Sequence, residues 1–161
     1  MEVLQFAITM EKDGEQYYLT QAAKNEGNAL SVVFKTLAGD EARHAELLQN
    51  MQDDVPIELE AENAVTRDMN LFSSADDYQS AVKALPDQAE LYHAALAKEQ
   101  QSIDLYTKLK TDAKDEVSSG IFGFLVKEEQ RHFHILEEIF RHVNRPNEWV
   151  ESAEFGVREE Y

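Results

Sequence analysis

Apolar side chains recur every three or four residues through four long stretches of the chain, a period that predicts amphipathic helices. The first runs from Val3 to about Lys24 through Val3, Leu4, Phe6, Ala7, Met10, Tyr17, Tyr18 and Ala22. It ends at Asn25-Glu26-Gly27-Asn28, where Gly27 suits a left-handed C-terminal cap and Asn28 a cap for the next helix. The second spans about Ala29 to Gln52 through Val32, Val33, Leu37, Glu41, His44 and Leu48. So short a connection makes the two antiparallel neighbours. Pro56 in Asp53-Asp54-Val55-Pro56 stops the second helix, because proline lacks the amide hydrogen and pushes its predecessor out of the α region.

From Asp53 to Pro86 the pattern predicts a long crossover, with a short helix around Ala75 to Leu85. Its length would let a second hairpin pack with the first about a pseudo-twofold axis. Pro86-Asp87-Gln88-Ala89-Glu90 reads as a capping box, with Asp87 as N-cap, opening a third helix to about Lys110. A fourth runs from about Glu116 to Val143, closed by Pro146. The expected fold class is all-α. Two antiparallel hairpins form a four-helix bundle over residues 1–146, and a tail, 147–161, carries Trp149, Phe155 and Tyr161 as a set that packs on the bundle or on a second subunit.

The polar positions on those stripes repeat. Asp40-Glu41-Ala42-Arg43-His44 returns as Glu128-Glu129-Gln130-Arg131-His132, with 88 residues separating Glu41 from Glu129 and His44 from His132. The same shift carries Glu11 onto Glu99, Tyr18 onto Tyr106, Phe34 onto Phe122 and Leu37 onto Leu125. In Glu-x-x-His the two side chains share a helix face, so each pair aims a carboxylate and an imidazole at one point. A Glu from the first helix and a Glu-x-x-His from the second, supplied twice, is the set with which four-helix bundles hold two metal ions.

Burial energetics point the same way. Glu11, Glu41, Glu99 and Glu129 lie on or near apolar stripes with few Lys or Arg beside them, and buried, uncompensated carboxylates cost several kcal/mol each. Two divalent ions balance four carboxylates, with Glu41 and Glu129 as natural bridges and Glu11 and Glu99 as terminal ligands. Oxygen-rich ligation with one imidazole per metal suits iron or manganese, with zinc able to occupy the site in an isolated sample. Tyr18 and Tyr106 lie seven residues after the terminal Glu, on the same face. Each phenol is expected to support the other hairpin's terminal ligand, Tyr18 toward Glu99 and Tyr106 toward Glu11. Asp40 is a candidate to orient His132, and Glu128 to orient His44; Arg43 and Arg131 suggest salt bridges between helices. His134 points away from the site, and His93 and His142 have no counterpart in the other half.

Composition narrows the partners. The formal charge of −17 disfavours nucleic acid and anionic membranes. The chain has no cysteine, which excludes disulfides, iron–sulfur clusters and thiol nucleophiles within it. Met1-Glu2-Val3-Leu4 lacks a signal-peptide pattern, and a cytoplasmic location is the expectation.

At these motifs, Ala7-Ile8-Thr9-Met10-Glu11 with Tyr17-Tyr18, Asp40 to His44, Ala97-Lys98-Glu99 with Tyr106, and Glu128 to His132, the chain resembles the ferritin-like superfamily over about residues 3–144. More closely, it is similar to small proteins of the rubrerythrin branch. The resemblance implies a ferritin-like di-iron bundle, commonly a homodimer, that reacts with hydrogen peroxide or dioxygen while oxidising ferrous iron. Rubrerythrin proper adds a cysteine-ligated rubredoxin domain; without cysteine, this chain would need an external electron donor protein. Rubrerythrin also has an extra Glu where this chain has Ser102, so the set is the more symmetric one of bacterioferritin, which bears on peroxidase turnover more than on ferrous oxidation. The expected activity is that of a di-iron oxidoreductase in oxidative stress. The alternatives are an iron-handling protein without turnover and, third, an oxygenase with an organic substrate.

Overall fold

A computed structural model gives the structure of the protein, describing residues 2–27, 29–57 and 89–154, with side chains to residue 141. It is built of α1 (Glu2–Lys24), α2 (Ala29–Gln52), α3 (Ala89–Asp112) and α4 (Glu116–Glu154). The helices fall into two compact units, one holding α1 and α2 and the other α3 and α4. Within each, two helices pack along each other as a hairpin.

In the first hairpin the buried row of α1 is Ala7, Glu11, Gly14, Tyr18 and Ala22, flanked by Ile8 and Gln21. Val3 and Phe6, expected on the apolar stripe, are instead 50% and 61% exposed. Val3 belongs to the first turn, ahead of that row, and Phe6 starts an adjacent row with Met10 and Tyr17, which are only half-buried. On α2, Leu30, Val33, Phe34, Leu37, Ala38, Ala45 and Leu48 form the apolar row. Tyr18 stacks on Phe34 with ring centroids 6.2 Å apart.

The turn between them is closed by polar groups that the helix ends leave over. Gly27 takes φ +90°, as expected of a C-terminal cap. The buried Asn25 donates its amide to the Gln21 carbonyl (2.8 Å), and the buried Ser31 hydroxyl reaches across to the Ala22 carbonyl (3.0 Å). Asn28, the expected cap of α2, lies outside the described residues.

The end of α2 differs in mechanism from the expectation built on Pro56. Asp54 adopts φ 54°, and the Val55 amide donates to the Asn50 carbonyl at 2.9 Å. That is a Schellman closure, with an aspartate in the left-handed position that glycine usually takes. The helix is therefore already turned two residues before the proline. The crossover helix expected at Ala75 to Leu85 and the capping box at Asp87 lie outside the described residues.

In the second hairpin the buried row of α3 is Tyr92, Ala95, Glu99, Ser102 and Tyr106. From Ala95 onward it is the buried row of α1 moved by 88 residues, position for position, from Ala7 to Tyr18. On α4, Ile121, Phe122, Leu125, Leu136 and Ile139 form the apolar row. Tyr106 stacks on Phe122 at 6.4 Å, reproducing the ring pair of the first hairpin. Asp115 caps α4, accepting from the Ser118 amide (2.8 Å) and hydroxyl (2.7 Å). These bonds, the backbone one first, hold its carboxyl below the ordinary aspartate range.

The expected end of α4 at Val143 is overturned, since the helix continues through Pro146 to Glu154. Proline removes one amide donor and crowds the carbonyl four residues back, a local cost that a helix can absorb as a kink. The residues after it, Asn147 to Glu154, contain neither glycine nor a second proline. Among the described residues no helix is long and apolar enough to cross a membrane.

Candidate metal centre

Each hairpin gathers two carboxylates and one imidazole at a buried point. In the first, α1 supplies Glu11, and α2 supplies Glu41 and His44 from one face; the three are 1%, 4% and 2% exposed. Glu11 Oε2 stands 3.3 Å from His44 Nδ1. Glu11, Glu41 and His44 each offer a ligand atom, all within 4.8 Å of one another.

In the second hairpin, α3 supplies Glu99, and α4 supplies Glu129 and His132. His132 Nδ1 lies 3.7 Å from Glu99 Oε2 and 3.6 Å from Glu129 Oε2, and the three ligand atoms again fall within 4.8 Å of one another. All three side chains are buried.

These spacings test whether the residues fit a metal. Two ligands held about 2.1 Å from one ion stand roughly 3.0–3.4 Å apart for angles between square and tetrahedral. The first hairpin's pair meets that at 3.3 Å, and the second's is a few tenths of an ångström wider. In both hairpins Nδ1 is the ring nitrogen that faces the carboxylates, so it is the atom offered for ligation. Two hard oxygen donors and one imidazole suit iron, manganese or zinc.

Burial shows in the electrostatics. The Glu99 carboxyl is pushed up from 4.5 to about 7, chiefly by burial, with neighbouring Glu129 adding to the rise and His132 opposing it. A group so raised holds its proton near neutrality and gives it up when a cation takes its place.

A family model described as rubrerythrin matches residues 2–140. The chain belongs to the rubrerythrin family. Family membership, with four helices and no strand among the described residues, establishes the all-α, ferritin-like four-helix class. A buried carboxylate and histidine cluster of this type is what a rubrerythrin-family chain uses to hold metal. No curated protein and no solved structure matches the chain significantly.

Around the ligand sets of this rubrerythrin-family chain, each arginine has a partner on its own helix. Arg43 pairs with Asp40, within α2 rather than with another helix as expected, and Arg131 has Glu128 at 2.9 Å. A carboxylate three residues ahead of a guanidinium is its nearest neighbour on the helix surface, so the local pair forms first. Asp40 and Glu128 are themselves buried, at 2% and 8% exposure. Tyr18 and Tyr106 are buried on the same rows as Glu11 and Glu99. The remaining histidines stay off the sets where their side chains are described. His134 is exposed beside Glu137 (4.0 Å), and His93 is exposed with its ring edge-on to Phe140 at 4.6 Å. The His142 side chain lies outside the described residues.

One residue beside the ligands escaped the sequence reading. Gly14, one turn after Glu11, faces the Glu41 carboxylate so closely that a Cβ there would stand 2.9 Å from Oε2 and 3.3 Å from Cδ. The signal was available, since a glycine in the middle of a long helix costs stability and the 88-residue shift sets it opposite Ser102.

Proposed function

We propose that this rubrerythrin-family protein is a non-haem di-iron oxidoreductase that reduces hydrogen peroxide or dioxygen while ferrous iron is oxidised. The observation that supports it most directly is the repetition of one buried Glu, Glu, His set in each hairpin of a rubrerythrin-family chain. In this reading Glu11, Glu41 and His44 together with Glu99, Glu129 and His132 would hold two irons, with Glu41 and Glu129 as the carboxylates shared between them and Glu11 and Glu99 each serving one. Manganese or zinc can take the same donors.

The chemistry a bound pair of ferrous ions supplies is two one-electron oxidations, which with two protons convert one hydrogen peroxide to two waters. The residues provide what the ions cannot. The carboxylates balance their charge, the Nδ1 atoms of His44 and His132 fix one position each, and the apolar rows around them keep bulk water out. Tyr18 and Tyr106 are assigned as hydrogen-bond donors to the terminal carboxylates of the opposite hairpin, Glu99 and Glu11. Re-reduction is assigned to an electron donor outside residues 1–161, which hold no cysteine to ligate a rubredoxin-type iron. The functional unit is proposed as a cytoplasmic homodimer.

Anaerobic ferrous titration of the metal-free protein, followed by peroxide or air, tests the reading. About two irons per chain, oxidised rapidly by peroxide and still bound afterwards, is the expected result. Slow oxidation with release of iron would favour a protein that stores or delivers iron, and failure to bind two metals would remove the dinuclear reading.

A further inference from the structure

From the close approach of Gly14 to Glu41, we infer that Gly14 is a positioning residue for the metal site, leaving room for a bridging carboxylate at the expense of α1 stability. The inference rests on the dinuclear reading above. Gly14 is buried in the middle of α1, where glycine is the least favourable residue after proline. Its φ is not in the left-handed region, so the backbone does not require glycine there. What requires it is space: a Cβ would meet Oε2 at 2.9 Å, Cδ at 3.3 Å and Cγ at 3.5 Å of the Glu41 side chain. Three atoms of one ligand occupy the volume that any other residue would fill.

The obstructed group is the far end of a flexible side chain, so a substitution would displace the carboxylate and leave the helices in place. The other glycines among the described residues lack this relation. Gly39 and Gly120 have nothing within 4 Å of an added Cβ, and Gly123 meets only the Lys110 side chain at 3.4 Å or more. The second hairpin carries Ser102 at the position corresponding to Gly14, so a side chain stands on α3 where α1 has none. The slot therefore belongs to the first hairpin, and Glu41 is the carboxylate with room beside it.

The test compares wild type with Gly14→Ala, Gly14→Val and Gly39→Ala, reading thermal melting of the metal-free proteins and anaerobic binding of ferrous iron to each. Gly14→Ala should raise the metal-free Tm by about 2–4 °C while weakening iron binding by about 10–100-fold, with Gly14→Val binding more weakly still. Gly39→Ala should gain Tm and bind as wild type does. Unchanged iron affinity in both Gly14 variants, with wild type binding two irons, would overturn this inference and leave the di-iron reading standing. A fall in both Tm and affinity in Gly14→Ala would make Gly14 a packing residue and overturn it as well. Failure of wild type to bind two irons would overturn the di-iron reading, and this inference with it.

Discussion

Four of the six proposed ligands, Glu41, His44, Glu129 and His132, follow from a physical constraint, since a carboxylate and an imidazole three apart on a helix must face the same way, and the 88-residue shift adds Glu11 and Glu99. What one residue does to another was less legible. Glu99 shows this, since nothing in its neighbours along the chain says that burial will raise its carboxyl to about 7. The sign of the consequence follows from linkage. The folded value lies above the unfolded one, so the contribution of Glu99 to stability is full below pH about 4.5 and is lost as pH rises through about 7. Metal-free protein should therefore melt at a higher temperature at pH 5 than at pH 8, with Glu99 responsible for a difference on the order of a few kcal/mol. Glu99→Gln, which cannot ionise, should flatten that part of the dependence. An identical pH profile in the variant would show that Glu99 is already ionised in the folded protein. Gly14 is a related case: its place in the middle of a helix marks it as unusual, but only its position beside Glu41 says what the missing side chain is for.

Whole helices were read closely where the pattern and the local stop signals agree. α2 begins and ends at the expected residues, and Gly27 caps α1 as foreseen. The misreadings come from treating proline as a sufficient stop. At α2 the aspartate at 54, not Pro56, makes the turn; at α4 the helix crosses Pro146 because its cost is local. Both cases show termination decided by the balance of caps and flanking residues, which one residue type does not settle. Two substitutions measure the caps. Asp54→Gly relieves a left-handed backbone at a non-glycine residue and should stabilise the protein by roughly 0.5–1 kcal/mol, read as a higher urea midpoint with an unchanged slope. Ser31→Ala removes the hydroxyl that α2 gives to the Ala22 carbonyl and should destabilise by about 1–2 kcal/mol. Equal midpoints for Ser31→Ala and wild type would mean that water satisfies that carbonyl equally well.

At the scale of the molecule, the 88-residue repeat carries the argument, because it is a repeat of buried positions rather than of composition. Ala7, Glu11 and Tyr18 return as Ala95, Glu99 and Tyr106, and Phe34, Leu37, Glu41, His44 and Leu48 return as Phe122, Leu125, Glu129, His132 and Leu136, all buried in both hairpins. Apolar positions repeat in any pair of hairpins that bury a face. Three ionisable positions repeat only if something in the interior needs them, since each costs free energy to bury. If that need is one cation per set, the halves are equivalent in kind, and removing either imidazole should have the same class of effect. His44→Ala and His132→Ala are each expected to lower bound iron from two per chain to about one and to reduce the Tm gain that saturating iron gives, by mass action. The double variant should lose that gain nearly completely. Loss of both irons on removal of a single histidine would mean that the two sets bind as one cooperative unit, and no change in either variant would mean that the carboxylates alone hold the metal.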